Sequence, residues 1–590
     1  MRYWILVLFL LAICPKYNWA QKNPGEGEGI SEIFDQVPLN KVLKKLRKTY
    51  DLKIAYEDNL TKGIVVTLRI ENATPEETIS SVLKETSLNY LFVNDKIIII
   101  PRVKDDPKLP KPTRYDLTVS GVIKDGVNGE TLPNAIIRIV GTSKGAVSNV
   151  DGFFTILKVP NDTCTLQIDY LGYMSKKIKL DGNLELSQLS IDLQSDIAIL
   201  KDVTITDTYD APVEVSDQIS KVAFNPRSLA NLPSLGEHDL FKTVQLLSGI
   251  SGTNESSANL IIRGALPSQN LVLLDGFTVY HLDHFFGIFS ALNTDIIKDV
   301  QIYKGGFDSK YGGRVSGVVD ITGKSGNTKK TRYNLGANLM SVRGSVEIPI
   351  TQDLGILVSY RRAFTDIIQS RLYEKLFDIA RENDEQLTRP IDDPRFADIE
   401  PTFFFSDFNS KISYRPSEKD NIALSLYAGA DNLTGFVSNE LRNEQFDVSF
   451  EDNLTEITEW GNIGFSLRWG RQWSEKHYSN IRVSSASFFR DYSFDYNFQF
   501  DSGGVERALN FGLRQENRVG EASFNFDHEY LLTQDIALEF GAAFVNHDIS
   551  YTTFTDDEIA DQSADAGNVS SIYSTINFKV SKDMTASIGG

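Results

Sequence analysis

The chain has 590 residues, enough for several domains with ample core. Asp and Glu outnumber Lys and Arg by 79 to 60, a net charge of −19 that argues against a nucleic-acid binder, which must present cationic surface to phosphates. Aromatics make up 11% of the chain, with 35 Phe and 23 Tyr against 4 Met, a bias toward β structure rather than helix bundles.

The opening MRYWILVLFLLAICPKYNWAQ reads as a secretory signal over residues 1–20, with Arg2 as its positive end, Tyr3 to Ile13 as its apolar run, and Ala20 before the cut. That run is too short for a membrane helix, which needs about 20 residues. Cys14 is a weak lipoprotein signal, because Ile13 is a poor residue before a modified cysteine. Once the signal is removed only Cys164 remains, so no intrachain disulfide can form. No later stretch is long and apolar enough for a membrane helix, which leaves a soluble exported protein or a β-barrel, the other structure that satisfies its own backbone in lipid.

Residues 30–101 read as a small α/β domain. Leu39, Val42, Leu43 and Leu46 fall on one helical face. ATPEETISSVLKET carries a capping box, with Thr74 as N-cap, Pro75 at the first helical position and Glu77 as return partner, ahead of the apolar stripe Ile79, Val82 and Leu83. The runs LKIAYE, LNYLFV and KIIIIP are strand-like. Residues 102–114 form a charged, proline-rich linker. Residues 115–195 read as a β-sandwich, with short alternating runs such as LTVSGVI, AIIRIVG and FFTILKV separated by turns, one of them at Asn149 to Gly152. Cys164 lies in a strand run and reads as a buried, inert thiol.

The stretch LKDVTITD, residues 200–207, is strand-like and belongs to neither neighbour, since Val203 and Ile205 alternate with Thr204 and Thr206. It is either a last edge strand of the sandwich or a segment kept for a partner. Residues 208–328 are mixed and glycine-rich. From residue 331 the pattern becomes strict alternation: Ile422, Leu424 and Leu426 against Asn421, Ala423 and Ser425, and Ile463, Phe465, Leu467 and Trp469 against Gly464, Ser466 and Arg468. Strands of about ten residues, apolar on one side and polar on the other, suit a membrane barrel with a wet lumen. A soluble sandwich also alternates, but the persistence of the pattern, its aromatics and its long polar interruptions favour the barrel.

Residues 259–326 resemble the plug of TonB-dependent outer-membrane receptors. The matching pieces are IRG with Arg263 and Gly264, LLDG with Asp275 and Gly276, the IYKGG run ending in Gly305 and Gly306, and YGGRVSGVVDI with Tyr311, Gly312, Gly313 and Arg314. Residues 115–195 resemble the carboxypeptidase-regulatory-like extension of such receptors in Bacteroidota, and residues 30–101 the short N-terminal domain (STN) shared by secretins and signal-transducing receptors. The fold class that follows is multidomain: a small α/β signalling domain, a β-sandwich, an α+β plug over 208–328, and part of a transmembrane antiparallel β-barrel over 331–590.

The resemblance implies a TonB box at Leu200, Lys201, Asp202, Val203, Thr204, Ile205, Thr206 and Asp207, an extended peptide that adds to a sheet edge of TonB, itself energised with ExbB and ExbD. It implies import of a large ligand across the outer membrane through a barrel of about 22 strands, with the N-terminal domains in the periplasm and residues 30–101 docking on an anti-sigma regulator. It also implies that plug arginines, Arg263 and Arg314 here, pair with lumen glutamates; alternation offers Glu521 and Glu539. A ferric siderophore is the favoured cargo; a glycan taken with a SusD-like surface lipoprotein is the alternative, and a non-transporting outer-membrane adhesion protein is another. No catalytic residues, metal site or cofactor are expected, because the sequence has no nucleophile–base constellation, HExxH, P-loop or Cys/His cluster. His281 and His284 in YHLDHF read as solvated loop histidines rather than metal ligands. The 260 residues from 331 onward suffice for roughly ten strands, so the barrel reads as incomplete.

Overall fold

A computed structural model describes residues 29–93, 96–101, 115–181, 186–195, 213–215, 220–224, 239–252, 259–285, 287–383, 402–443, 448–502, 505–581 and 584–590. The signal segment, the linker 102–114 and the 200–207 stretch lie outside the described residues. The chain divides into two compact units, residues 1–111 and 112–590.

In the first unit the helix Leu39–Thr49 buries Leu39, Val42, Leu43 and Leu46 completely. The helix Pro75–Leu83 starts on Thr74, whose hydroxyl accepts from the Glu77 amide at 3.3 Å while the Glu77 carboxylate accepts from the Thr74 amide at 2.9 Å. Two of the four amides orphaned at a helix start are so satisfied. Strands Ile54–Ala55, Lys96–Pro101 and Leu88–Val93 make one small sheet. A second is formed by Ile30–Pro38 and Val65–Ala73, two strands that the alternation pattern did not single out.

The second unit begins with two facing sheets. One orders Lys176–Lys179, Thr165–Asp169, Ile136–Ile139 and Gly145–Val147; the other orders Leu189–Leu193, Tyr115–Asp125 and Phe153–Asn161. Their inner faces share a core that includes Val119, Ile123, Ile137, Ile156, Leu166 and Ile191. Cys164 is half-buried at its edge, with Sγ 3.4 Å from Asn161 Oδ1.

A six-stranded mixed sheet follows, ordered Val213–Val215, Lys221–Phe224, Ile297–Tyr303, Val318–Gly323, Leu271–Leu274 and Phe277–Thr278. Against it stands an eleven-stranded antiparallel sheet whose strands pair in chain order from Arg332–Ala337 to Thr585–Gly589. The strands over the mixed sheet present alternate residues to it. Along Thr402–Ser417 the inward set is Phe403, Phe405, Asp407, Asn409, Lys411 and Ser413, all buried. The opposite face is greasy: Phe408, Leu426, Ile463, Leu467, Val483, Phe524 and Phe544 are each exposed. Near the short turns at 417–420, 474–477 and 533–536 that face carries Trp469, Trp473, His477 and Tyr530. An apolar band bordered by aromatics is how a membrane barrel meets the lipid interface. The other end of the wall bears the helix Arg371–Asn383, whose Tyr373, Leu376, Phe377 and Ala380 pack with Phe285, Ile288 and Phe289 of the plug.

Candidate functional site

The functional geometry lies where the mixed sheet, the plug, meets the polar face of the wall. Its centre is the two-residue turn between Leu271–Leu274 and Phe277–Thr278. Asp275 and Gly276 take φ of 48° and 90°, the pair of left-handed residues that a tight hairpin of this hand requires. The turn pushes the Asp275 carboxylate into the wall. Oδ1 accepts from Lys411 Nζ at 2.6 Å and from the Gly323 amide at 3.1 Å, and Oδ2 accepts from Ser425 Oγ at 2.8 Å. Ser466 Oγ donates to the Asp275 carbonyl at 2.9 Å, and Lys411 Nζ also donates to the Gly323 carbonyl at 3.0 Å. Burial raises the Asp275 pKa, but the Lys411 ammonium and these donors outweigh it and the net shift is downward. The left-handed φ of 90° favours glycine at 276, and a Cβ there would stand 2.5 Å from Cδ of Arg482 on the wall, a flexible side chain that would have to move aside. A small cleft of about 20 Å³, lined in part by Asp275, Lys324, Lys411 and Ser425, lies beside the ion pair.

A second junction centres on His284, which is 2% exposed. Its Nδ1 lies 2.7 Å from Asp431 Oδ2 and its Nε2 2.8 Å from Asp407 Oδ1. Arg361 Nε donates to Asp407 Oδ2 at 2.7 Å, and Arg361 Nη2 to the Ser290 carbonyl at 2.8 Å. With a carboxylate at each ring nitrogen, the imidazole carries both protons. Burial opposes that charge, yet Asp407 and Asp431 overcome it and raise the pKa to about 10. Two cations and two carboxylates balance, and the ring stacks on Phe405 at 4.3 Å. His281 accepts from Trp460 Nε1 at 3.0 Å, and its backbone exchanges hydrogen bonds with Asn462. The expectation of solvated loop histidines is therefore corrected for His284, while the His281 side chain stays 32% exposed. The plug loop that carries them is covered by wall strands, whose inward aspartates give His284 what water would otherwise supply.

The four residues expected to pair across the boundary do not pair with each other. Arg263 has φ of 51°, and its left-handed turn with Gly264 folds the side chain back over the plug, where Nη2 donates to Ser220 Oγ at 2.7 Å. A Cβ at Gly305 would lie 2.9 Å from Arg263 Nη1, so Gly305, with φ of 149°, leaves room for the guanidinium; Gly306 follows at 59°. Arg314 donates to the Gly313 carbonyl at 2.8 Å beside open Gly312. Tyr311 donates to Asp320 Oδ2 at 2.7 Å within the plug. Glu521 does face the plug, but it accepts from hydroxyls: Thr278 Oγ1 at 3.0 Å and Tyr280 Oη at 2.9 Å. Glu539 accepts from Asn577 of the neighbouring strand at 2.9 Å. Among the described residues, two ion pairs cross with the opposite polarity, plug acid to wall base, Asp275 to Lys411 and Asp295 to Arg343 at 2.9 Å, whereas His284 on Asp407 and Asp431 runs plug base to wall acid. Lys411 was visible in the sequence as a charge in the inward set of its strand.

A folded plug tied by polar side chains to a wall that is greasy on its far face defines a plugged β-barrel of the outer-membrane class. Residues 224–319 match the TonB-dependent Receptor Plug Domain, residues 119–205 the CarboxypepD_reg-like domain, and residues 32–100 the model named FecR, C-terminal. By its plug, its regulatory-like domain and its relatives the chain is similar to TonB-dependent receptors. One such relative is TonB-dependent receptor P3 of Formosa agariphila, 25% identical over 42% of this chain and 24% of that protein. Another is TonB-dependent receptor P26 of the same organism, 26% identical over 35% of this chain and 21% of that one. The chain aligns with less than a quarter of the length of these curated relatives. Solved structures that align with it include the ferric-catecholate import receptor Fiu of E. coli K12, at 8% identity over 62% of this chain and 68% of that one, with a TM-score of 0.40. FpvA of P. aeruginosa aligns at 10% identity over 94% of this chain and 69% of that one, with a TM-score of 0.36. The model matching residues 32–100 carries the FecR name, where the resemblance read from sequence named the secretin/TonB short domain. The CarboxypepD_reg-like match runs to residue 205, into the stretch read as the TonB box.

Proposed function

We propose that the full-length protein is an energy-driven outer-membrane importer. Ligand binds at the end of the wall that bears the helix Arg371–Asn383; TonB, with ExbB and ExbD, grips Leu200–Asp207 and pulls, and the plug rearranges. The observation that carries this reading is the kind of bond that holds the plug. Asp275 and Lys411 are buried yet border a cleft, and Glu521 meets the plug through the hydroxyls of Thr278 and Tyr280, so water can replace each plug partner as the plug moves. No covalent chemistry is asked of the chain. The N-terminal domains face the periplasm in this reading, and residues 30–101 report ligand occupancy to an anti-sigma regulator. The FecR-type match supports that assignment, and the signalling module favours a ferric siderophore as cargo over a glycan.

The test is replacement of Val203 and Ile205 by proline, which removes backbone donors from the peptide that would pair with TonB. Energy-dependent uptake of radioiron-loaded supernatant from an iron-starved culture should disappear while surface binding persists. Unchanged uptake would refute the box. Deleting residues 21–100 should abolish induced transcription and spare uptake; loss of uptake instead would contradict the division of labour.

A further inference from the structure

The importer reading gives the sandwich domain no task, yet the sandwich is seated on the wall with more care than a decoration needs. Asp151, in the turn from Asn149 to Gly152, is completely buried against three wall side chains. Its Oδ1 accepts from Arg468 Nη2 at 2.6 Å and from Asn421 Nδ2, and its Oδ2 accepts from Tyr478 Oη at 2.6 Å. Gly470 makes the seat possible, since a Cβ there would stand 1.9 Å from Asp151 Oδ2. Around this seat Phe153 packs on Tyr478, with ring centroids 6.3 Å apart. Further along the short-turn rim, Gln534 Nε2 donates to the Gly145 carbonyl at 2.9 Å and Lys579 Nζ to the Ser143 carbonyl at 2.8 Å. The same domain also holds the plug. Lys298 pairs with Glu130 at 2.8 Å with both side chains buried, and Asn134 Nδ2 donates to Asp299 Oδ2 at 2.9 Å.

These contacts are specific because a buried carboxylate tolerates only the donors that fit it. They are separable because nearly all are polar, so both sides regain water on parting. They also bridge plug and wall, so the plug cannot rearrange beneath the sandwich without straining them. From this we infer that the sandwich is a second stopper at the short-turn mouth of the lumen, seated by Asp151 on Arg468, Asn421 and Tyr478, and that it leaves this seat whenever cargo passes. The inference rests on the importer reading, which places that mouth in the periplasm.

A disulfide can test it. The Cβ of a residue at 470 would lie 3.1 Å from Asp151 Cγ, close to where a cysteine sulfur would sit, so D151C with G470C can bond across the seat. In the full-length protein, in a C164S background, the rate at which an oxidant pulse traps this bond should fall about threefold in energised cells relative to protonophore-treated cells, as the seat empties part of the time. Equal trapping rates would overturn the inference, because the sandwich would then be a fixed cap. Uptake of radioiron-loaded supernatant should fall about tenfold on oxidation and return on reduction; oxidised protein that transports at the reduced rate would also overturn it. A parent chain that moves no iron counts against the importer reading alone, and the trapping comparison then decides. Should the double variant not reach the membrane, D151N keeps the shape and leaves Arg468 unpaired. The sandwich should then be released faster by protease with the wall intact, and release at the parent rate would overturn the inference.

Discussion

Asp275 of the plug and Lys411 of the wall meet at 2.6 Å, with the side chains 12% and 8% exposed, and each has at least one further partner that holds its orientation. The pair fixes both the depth and the rotation of the plug at one point, because Asp275 sits on a two-residue turn that cannot shift without unwinding.

Removing one partner should therefore cost more than removing both. K411A leaves a buried carboxylate unpaired, and the loss expected for the plug transition is about 3 kcal/mol. The double variant D275A with K411A should recover part of it. Calorimetry of the detergent-solubilised protein measures both, and strict additivity of the two single losses would show that the pair is not coupled.

The pH dependence follows from His284 and Asp275. The His284 pKa is raised from 6.5 to about 10, so its contribution is complete below pH 6.5 and fades as pH rises through 10. The Asp275 pKa is lowered, so its contribution is complete above the ordinary carboxylate value of about 3.9 and fades as pH falls toward the lowered value. Plug stability should show a plateau between these limits. H284N should flatten the alkaline limb and leave the acid limb unchanged, as followed by thermal melts across the pH range.

G276V should unseat the plug for two reasons, the left-handed φ of 90° and the 2.5 Å approach to Arg482. A destabilisation of about 1–3 kcal/mol is expected. Pairing G276V with R482A should relieve the clash but not the backbone strain, so recovery in the melt should be partial.

E521A removes the acceptor shared by Thr278 and Tyr280, whereas E521Q retains an acceptor oxygen. Protease accessibility of the plug should rise in E521A and stay near the parent level in E521Q. In the N-terminal unit, T74A should cost about 1 kcal/mol in that unit's own unfolding transition, the usual effect of losing an N-cap.

What the sequence determined by itself was whatever depends on neighbours a few residues apart. The capping box at Thr74 and Glu77, the buried stripe Leu39, Val42, Leu43 and Leu46, and the inward and outward faces along Ile422–Leu426 and Ile463–Trp469 were all legible, because helix and strand periodicity is a local property. Alternation likewise turned Glu521 toward the plug. Only tertiary structure decided who meets whom. Asp275 and Lys411 stand 136 positions apart, and Asp151 and Arg468 stand 317 apart. A charge in an inward set announces that it needs a partner without saying which one. That is why the expected plug-arginine, wall-glutamate pairs gave way to Asp275 on Lys411 and Asp295 on Arg343, and to His284, surface-like by its loop, buried between Asp407 and Asp431. Register along eleven strands and the depth of the plug fix those distances, and both are settled by the packing of the whole wall rather than by any short stretch of chain.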